Sequence, residues 1–149
     1  MIYRIPLFLI TIALVVFLST GEASACSCVK YDAFAAEHVR KAKRDSDAVF
    51  AGKVQNIVEK QGYGWVSVEF EVLGVWKGRL NKKVTVVTGD NIENCGFKFR
   101  QGETYLVYVR NGSIYSPNAL STDICTRTAL LSDAKADIPH LGKRTQPKK

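Results

Sequence analysis

Cys26, Ser27 and Cys28 form the grouping in this 149-residue chain whose residue types and position could carry chemistry. Their meaning depends on what precedes them. Arg4 gives a positive start, Ile5 to Leu18 is apolar apart from Pro6 and Thr11, and Ala23-Ser24-Ala25 is a small-x-small cleavage site, so residues 1–25 read as a secretory signal. Cleavage between Ala25 and Cys26 makes Cys26 the first residue of the mature protein. It then carries a free α-amine on a cysteine whose side chain can be bonded into the fold. Lipidation of Cys26 is the competing fate, giving a lipid-anchored envelope protein. It wants Leu or a similar residue three positions earlier, where Ala23 stands, although Ser24 and Ala25 are acceptable. A thioether at Cys26 with an acylated amine would preclude both a disulfide and a free nitrogen.

The elements that must hold this N-terminus come from the remaining 124 residues, one ordinary domain. The 14-residue apolar stretch of the leader is short for a membrane span, which needs about 20. Loss of Arg4 and Glu22 with the leader keeps the net charge at +7. A basic excess on an exported protein points to anionic polysaccharide or an envelope surface as neighbours rather than nucleic acid, and also serves solubility. All four cysteines follow the leader, an even set suited to an oxidising compartment, so the expected location is outside the cell or in a periplasm. A Cys26–Cys28 bridge would close a strained small ring. Two pairings remain: Cys26–Cys95 with Cys28–Cys125, or Cys26–Cys125 with Cys28–Cys95. Either set closes loops of roughly 70 to 100 residues, contributing about 4 to 5 kcal/mol each in the chain-entropy model. A resident metal site fits poorly, because one Cys-x-Cys with two remote cysteines lacks the paired-ligand spacing of zinc sites.

Tyr31, Phe34, Ala35, His38, Val39 and Ala42 recur at helical spacing, with Asp32 near the start and Arg40, Lys41, Lys43 and Arg44 near the end, predicting a helix over 31–42. The period then changes to two. Ala48 to Val58 is a β-rich run broken by Gly52, a bulge or close approach. Gly62-Tyr63-Gly64 is a hairpin tip, and Val66, Val68, Phe70 and Val72 alternate with Ser67, Glu69 and Glu71. Further strands are expected at Val84–Val87, at Tyr105–Val109 and, after the turn Asn111-Gly112, from Ser113 to Tyr115. Cys95 falls in the long irregular connection over 88–102. Leu130 to Ile138 reads as a helix ended by Pro139 and Gly142. The expected architecture is all-β dominated (α+β): a five-stranded OB-type β-barrel with one N-terminal and one C-terminal helix and a disulfide-stapled N-terminus. Its domain spans 26–142, and 143–149 is a basic, disordered tail.

In order and spacing these features resemble the netrin-like module, whose best-known members are the tissue inhibitors of metalloproteinases. The resemblance rests on Cys-x-Cys at the mature N-terminus, the helix after it, five strands, Cys95-Gly96 in mid-chain and a late cysteine before the last helix. Residues 48–54 (AVFAGKV), 75–78 (VWKG), 102–108 (GETYLVY) and 125–128 (CTRT) look like segments of the short secreted bacterial members. The similarity runs to about Gly142. It implies the pairing Cys26–Cys95 with Cys28–Cys125. It also implies a function: the α-amine and carbonyl of Cys26 chelate the catalytic zinc of a target metallopeptidase, in the coordination position such a site keeps open for water. Ser27 then faces the pocket beside the scissile bond. An unperturbed α-amine titrates near 7.7–8.0, so a neutral fraction exists at neutral pH. The large animal inhibitors carry further cysteines and a second domain that this chain lacks.

The remaining polar and aromatic residues read as structure. His38 lies on the helix stripe, His140 beside a proline faces solvent, and Glu69 and Glu71 lie on the outward face of a strand. Trp65, Trp76, Tyr105 and Tyr108 are expected to pack in the core or support a hairpin rather than line a groove. No glutamate-histidine zinc-protease motif, serine elbow or phosphate loop is present, so the expectation is a monomeric non-enzyme without cofactor. The alternative function is a netrin-like adhesion module that binds polyanions without inhibiting.

Overall fold

The computed structural model describes residues 26–28, 36–60, 62–112 and 117–148. The expected signal sequence and its expected cleavage point at Ala25, the first turns of the expected helix (Tyr31, Phe34, Ala35) and the strand expected from Ser113 lie outside the described residues. The elements are α1 (Ala36–Asp45), β1 (Ala48–Lys60), β2 (Trp65–Lys77), β3 (Lys83–Gly89), β4 (Thr104–Asn111), β5 (Leu120–Ser121) and β6 (Ala129–Leu130), then 3-10 turns at Ala134–Ala136 and Ile138–His140. Five strands close into a barrel in the order β1-β2-β3-β5-β4 and back to β1, with β6 also on β4. Among the pairings of the described strands, β3–β5 alone is parallel.

β1 and β2 are the long, strongly coiled pair that lets so few strands close. Their register shifts at three places, one of them between Ala51 and Gly52. Gly52 is both the bulge and the close approach that its place in the run suggested. A Cβ there would stand 2.7 Å from Phe50 and 3.0 Å from Phe70, two buried rings. Phe50, Phe70, Phe99 and Tyr105 form an edge-to-face chain with successive centroids 5.6, 5.2 and 4.9 Å apart, filling the barrel with Val54, Val68, Val86 and Val107. β4 is buried on both faces. Tyr105, Val107 and Val109 point into the barrel, while Leu106 and Tyr108 pack outside it with Val39, Val49, Ala134 and Leu141, under α1 and the C-terminal turns.

β5 and β6 are two pieces of one edge, broken by an excursion over 122–128. Both pair antiparallel with β4, but their registers differ by four residues: Asn111 opposes Leu120, and Leu106 opposes Ala129. Across the break the Thr128 hydroxyl accepts from the Tyr108 amide at 3.1 Å, and the Thr122 amide donates to the Val87 carbonyl at 3.0 Å. These bonds replace missing ladder bonds and leave the excursion, with Cys125 on it, free to reach Cys28.

Two expectations need correction. Leu130, expected to open a helix, is the last residue of β6, and the helical segment after it is 3-10, with the Asp137 amide bonded to the Ala134 carbonyl at 2.9 Å. Pro139 lacks the N–H an α-helix would need there, and Asp137 is committed to Arg127. The segment after Gly142 is ordered rather than disordered through Lys148. Val75 and Thr145 exchange both backbone hydrogen bonds (2.9 and 2.8 Å), and the Lys148 amide donates to the Leu80 carbonyl at 2.8 Å. The cause is a length mismatch. β3 pairs with β2 only as far as Glu71, so the end of β2 has an open edge that the tail covers.

Candidate functional site at the stapled N-terminus

The bridges are Cys26–Cys95 and Cys28–Cys125, with Cα separations of 5.6 and 5.0 Å. This is the pairing the family resemblance implied. Residues 26–28 thereby lie across the two loops that carry Cys95 and Cys125. Ser27 is exposed between two half-buried cysteines. Cys26 Sγ lies 3.3 Å from the Ile92 carbonyl oxygen. A disulfide sulfur has no proton to donate, so this is a packing contact.

Each loop is built from local side-chain bonds. In the β3–β4 connection, the Asn91 carboxamide accepts from the Asn94 amide at 3.0 Å and the Asn91 carbonyl accepts from the Gly96 amide at 2.8 Å. Cys95 has φ +55°, the one positive value at a non-glycine among the described residues. Asn94 Nδ2 donates to Asp90 Oδ1 at 2.8 Å and to the Gly64 carbonyl at 3.2 Å, fastening the loop to the β1–β2 hairpin tip. In the 122–128 excursion, Asp123 Oδ1 accepts from the amides of Cys125 (2.8 Å) and Thr126 (3.0 Å), an Asx turn that sets the direction of the cysteine. The Ile124 amide donates to the Cys95 carbonyl at 3.0 Å, so the two anchor loops are bonded directly to each other.

Behind the excursion stands a polar cluster. Arg127 makes a two-pronged pair with Asp137 (3.0 and 2.7 Å), and the Tyr108 hydroxyl donates to the same carboxylate at 3.4 Å. Burial, then the Asp137 charge, pushes the Tyr108 hydroxyl far above the usual phenol range. The hydrogen bond to Asp137 raises the Arg127 guanidinium further. The hydroxyls of Thr122, Thr126 and Thr128 lie 2.8 to 2.9 Å from one another. These groups have bonding partners inside the fold and act as its foundation.

One recess borders residues 26–28, and another lies beside the loops that carry Cys95 and Cys125. A pocket of about 210 Å³ beside Ser27 is lined by Cys28, Lys41, Asp45, Arg110 and Arg127. There the hydrogen bond from Lys41, at 2.6 Å, holds the exposed Asp45 carboxyl below its usual range. The other, about 680 Å³ and mainly apolar, is lined by Ile57, Val66, Ile92, Phe97, Phe99 and Ile124. Ile92 and Tyr63 are the most exposed large hydrophobic residues among those described, at 72% and 73%. The two loops carrying them are the ones that Asn94 joins.

His38 is half-buried on α1, His140 is exposed, and Tyr105 and Tyr108 are core residues. Glu69 and Glu71 share a groove with Lys82 and Lys83 on the far strands. None of these is brought to residues 26–28. Sequence reasoning passed over Ile92, Asn94 and Asp123; the polar run Asp90-Asn91 and the Asp two residues before Cys125 are ordinary side-chain-to-backbone turn signals that could have marked both loops. Among the described residues no three His, Cys, Asp or Glu side chains are grouped to hold a metal ion. The groups around this site are the exposed Ser27, the charged side chains of Lys41, Asp45, Arg110 and Arg127 on one side, and the exposed apolar side chain of Ile92 on the loop that carries Cys95. No family model matches the chain, and no curated protein matches it significantly. Four cysteines joined in two bridges suit an oxidising environment.

Proposed function

We propose that this chain is an exported, netrin-like inhibitor of a zinc metallopeptidase that acts after cleavage at Ala25, through the α-amine and carbonyl of Cys26. The supporting observation is the double anchorage of residues 26–28: both neighbours of exposed Ser27 are bridged to loops that are bonded to each other. Zinc chelation by a main-chain amine and carbonyl needs such a rigid terminus, because ordering a free chain end would cost much of the binding energy. The zinc is the target's own, and the inhibitor supplies two donor atoms in place of the catalytic water. Ser27 enters the adjoining pocket, and Ile92 and Tyr63 provide apolar contact beside it. Affinity then comes from a preorganised surface with a metal bond at its centre.

The test is a one-residue extension. Mature protein starting at Cys26 is assayed against a panel of zinc metallopeptidases beside a form carrying one additional alanine before Cys26. The extension turns the amine into an amide, which cannot serve as the nitrogen donor, and leaves both bridges intact. Inhibition by the first form and loss of at least a hundredfold in the second is the expected result. Equal inhibition by both forms refutes the mechanism.

A further inference from the structure

The geometry points to a second surface, independent of the inhibitor reading: a cationic face, built from the end of β2, the β2–β3 turn and the C-terminal segment, that binds a sulfated or carboxylated polysaccharide. Residues 72–83 contain Lys77, Arg79, Lys82 and Lys83, and residues 138–148 contain Lys143, Arg144 and Lys148, with no Asp or Glu in either stretch. Those seven cations equal the whole net charge of +7, since the other fourteen Lys and Arg are matched by fourteen Asp and Glu. The fold brings these two stretches, distant in sequence, side by side.

The contacts are specific. Thr145 pairs with Val75, Asn81 bridges to Lys148, and the Lys148 amide bonds to the Leu80 carbonyl. The Arg144 guanidinium lies 5.8 Å from the Trp76 ring centroid and donates to the Leu73 carbonyl. Lys77 Nζ donates to the carbonyls of Lys43 and Arg44 at 3.0 and 2.8 Å, which draws the basic end of α1 to the same region. Arg79, Lys82, Lys83, Lys143, Arg144 and Lys148 are exposed. Lys82 and Lys83 are partly offset by Glu69 and Glu71 in their groove, so the centre of the face is Arg79, Lys143, Arg144 and Lys148.

A cluster of exposed cations with few carboxylates beside it raises the local potential and releases counterions from a linear polyanion. The ligand is a polysaccharide rather than a membrane because the apolar part of the face is a recess rather than a protrusion. Leu73, at 37% exposure, is the one exposed large hydrophobic residue bordering it among those described. It opens with Trp76, Leu131 and Ile138 on a hollow of about 570 Å³ beside Arg144, which can seat a sugar ring but presents little to insert. Interfacial binding needs a larger apolar component. The two disulfides suit a compartment where acidic sugar polymers are available.

The probe is immobilised dextran sulfate, titrated with the disulfide-bonded protein at several NaCl concentrations. The test variant is Arg79→Gln, Lys143→Gln, Lys148→Gln. The control is Lys53→Gln, Lys98→Gln, Arg100→Gln, three exposed cations elsewhere, so both variants lose the same net charge. The first should lose about tenfold or more in affinity at 0.1 M NaCl and flatten the log–log salt slope by about two to three, roughly one per lost contact. The control should stay within about twofold. Lysine acetylation mapped by mass spectrometry on unaltered protein gives a check that needs no variant: dextran sulfate should protect Lys143 and Lys148 but not Lys53 or Lys98. Equal losses in both variants, protection without site preference, or binding to phosphatidylglycerol vesicles but not to dextran sulfate would each overturn the inference.

Discussion

Replacing Cys28 and Cys125 by alanine removes one bridge while the other stays, and the structure sets how much stability goes with it. Taken alone, bridges with sequence separations of 69 and 97 contribute about 4.4 and 4.7 kcal/mol in the chain-entropy model. They are not independent. With Cys26–Cys95 in place, the second bridge closes only the path from Cys28 through that bridge to Cys125, about 34 residues, which the same model values at about 3.8 kcal/mol. By the same path, removing Cys26–Cys95 alone also costs about 3.8 kcal/mol. Removing both costs about 8 kcal/mol, as much as the whole stability of many domains of this size. Each double-alanine variant should therefore fold, with its urea midpoint lowered by about 2.5 M at a slope near 1.5 kcal/mol/M, while the fully reduced chain should be largely unfolded at 25 °C. Equilibrium urea unfolding followed by tryptophan fluorescence measures both. A fully reduced protein that keeps its native spectrum, with a midpoint within about 0.5 M of the oxidised form, would refute the reasoning.

Three further outcomes follow from particular contacts. Gly52→Ala places a methyl against the Phe50 and Phe70 rings and should cost about 1–3 kcal/mol by thermal unfolding; an unchanged midpoint contradicts the close approach at this bulge. Asp137→Ala strands the Arg127 guanidinium and the Tyr108 hydroxyl, with an expected loss of about 3 kcal/mol, whereas Arg127→Met combined with Asp137→Leu should recover much of it; a double variant as unstable as the single one would contradict the pairing. Zinc binds the neutral amine, so inhibition of a target should weaken about tenfold for each pH unit below about 7.7, once the target's own titration is subtracted; a flat profile from pH 5 to 8 argues against amine chelation.

The barrel was legible wherever local pattern and final environment coincide. Val66, Val68, Phe70 and Val72 alternate because one face of β2 is core, and the glycines at 62 and 64 close the hairpin where the register puts Lys60 opposite Trp65. The parts that were not legible are held by distant partners. β5 and β6 are two residues each, too short for any periodicity, and exist because the edge of β4 and the end of β3 are waiting for them. Leu130, Leu131, Ala134 and Ile138 have helical spacing, but Leu130 is taken by Tyr105 across the sheet. The tail from Lys143 has the composition of a solvated segment, and its order comes from a β2 edge that the shorter β3 leaves open. At the N-terminus the cysteines marked the site. The loops that present it did not stand out, since their geometry rests on a few side-chain bonds of Asn91, Asn94 and Asp123 rather than on any periodic pattern.

The central claim is an unblocked nitrogen on Cys26 after export, and N-terminal sequencing with intact-mass measurement of the exported protein tests it most directly. The account predicts a chain beginning Cys26-Ser27-Cys28, with the mass of residues 26–149 less four hydrogens for two bridges. A chain beginning elsewhere, or a mass increased by acyl groups on Cys26, would contradict it.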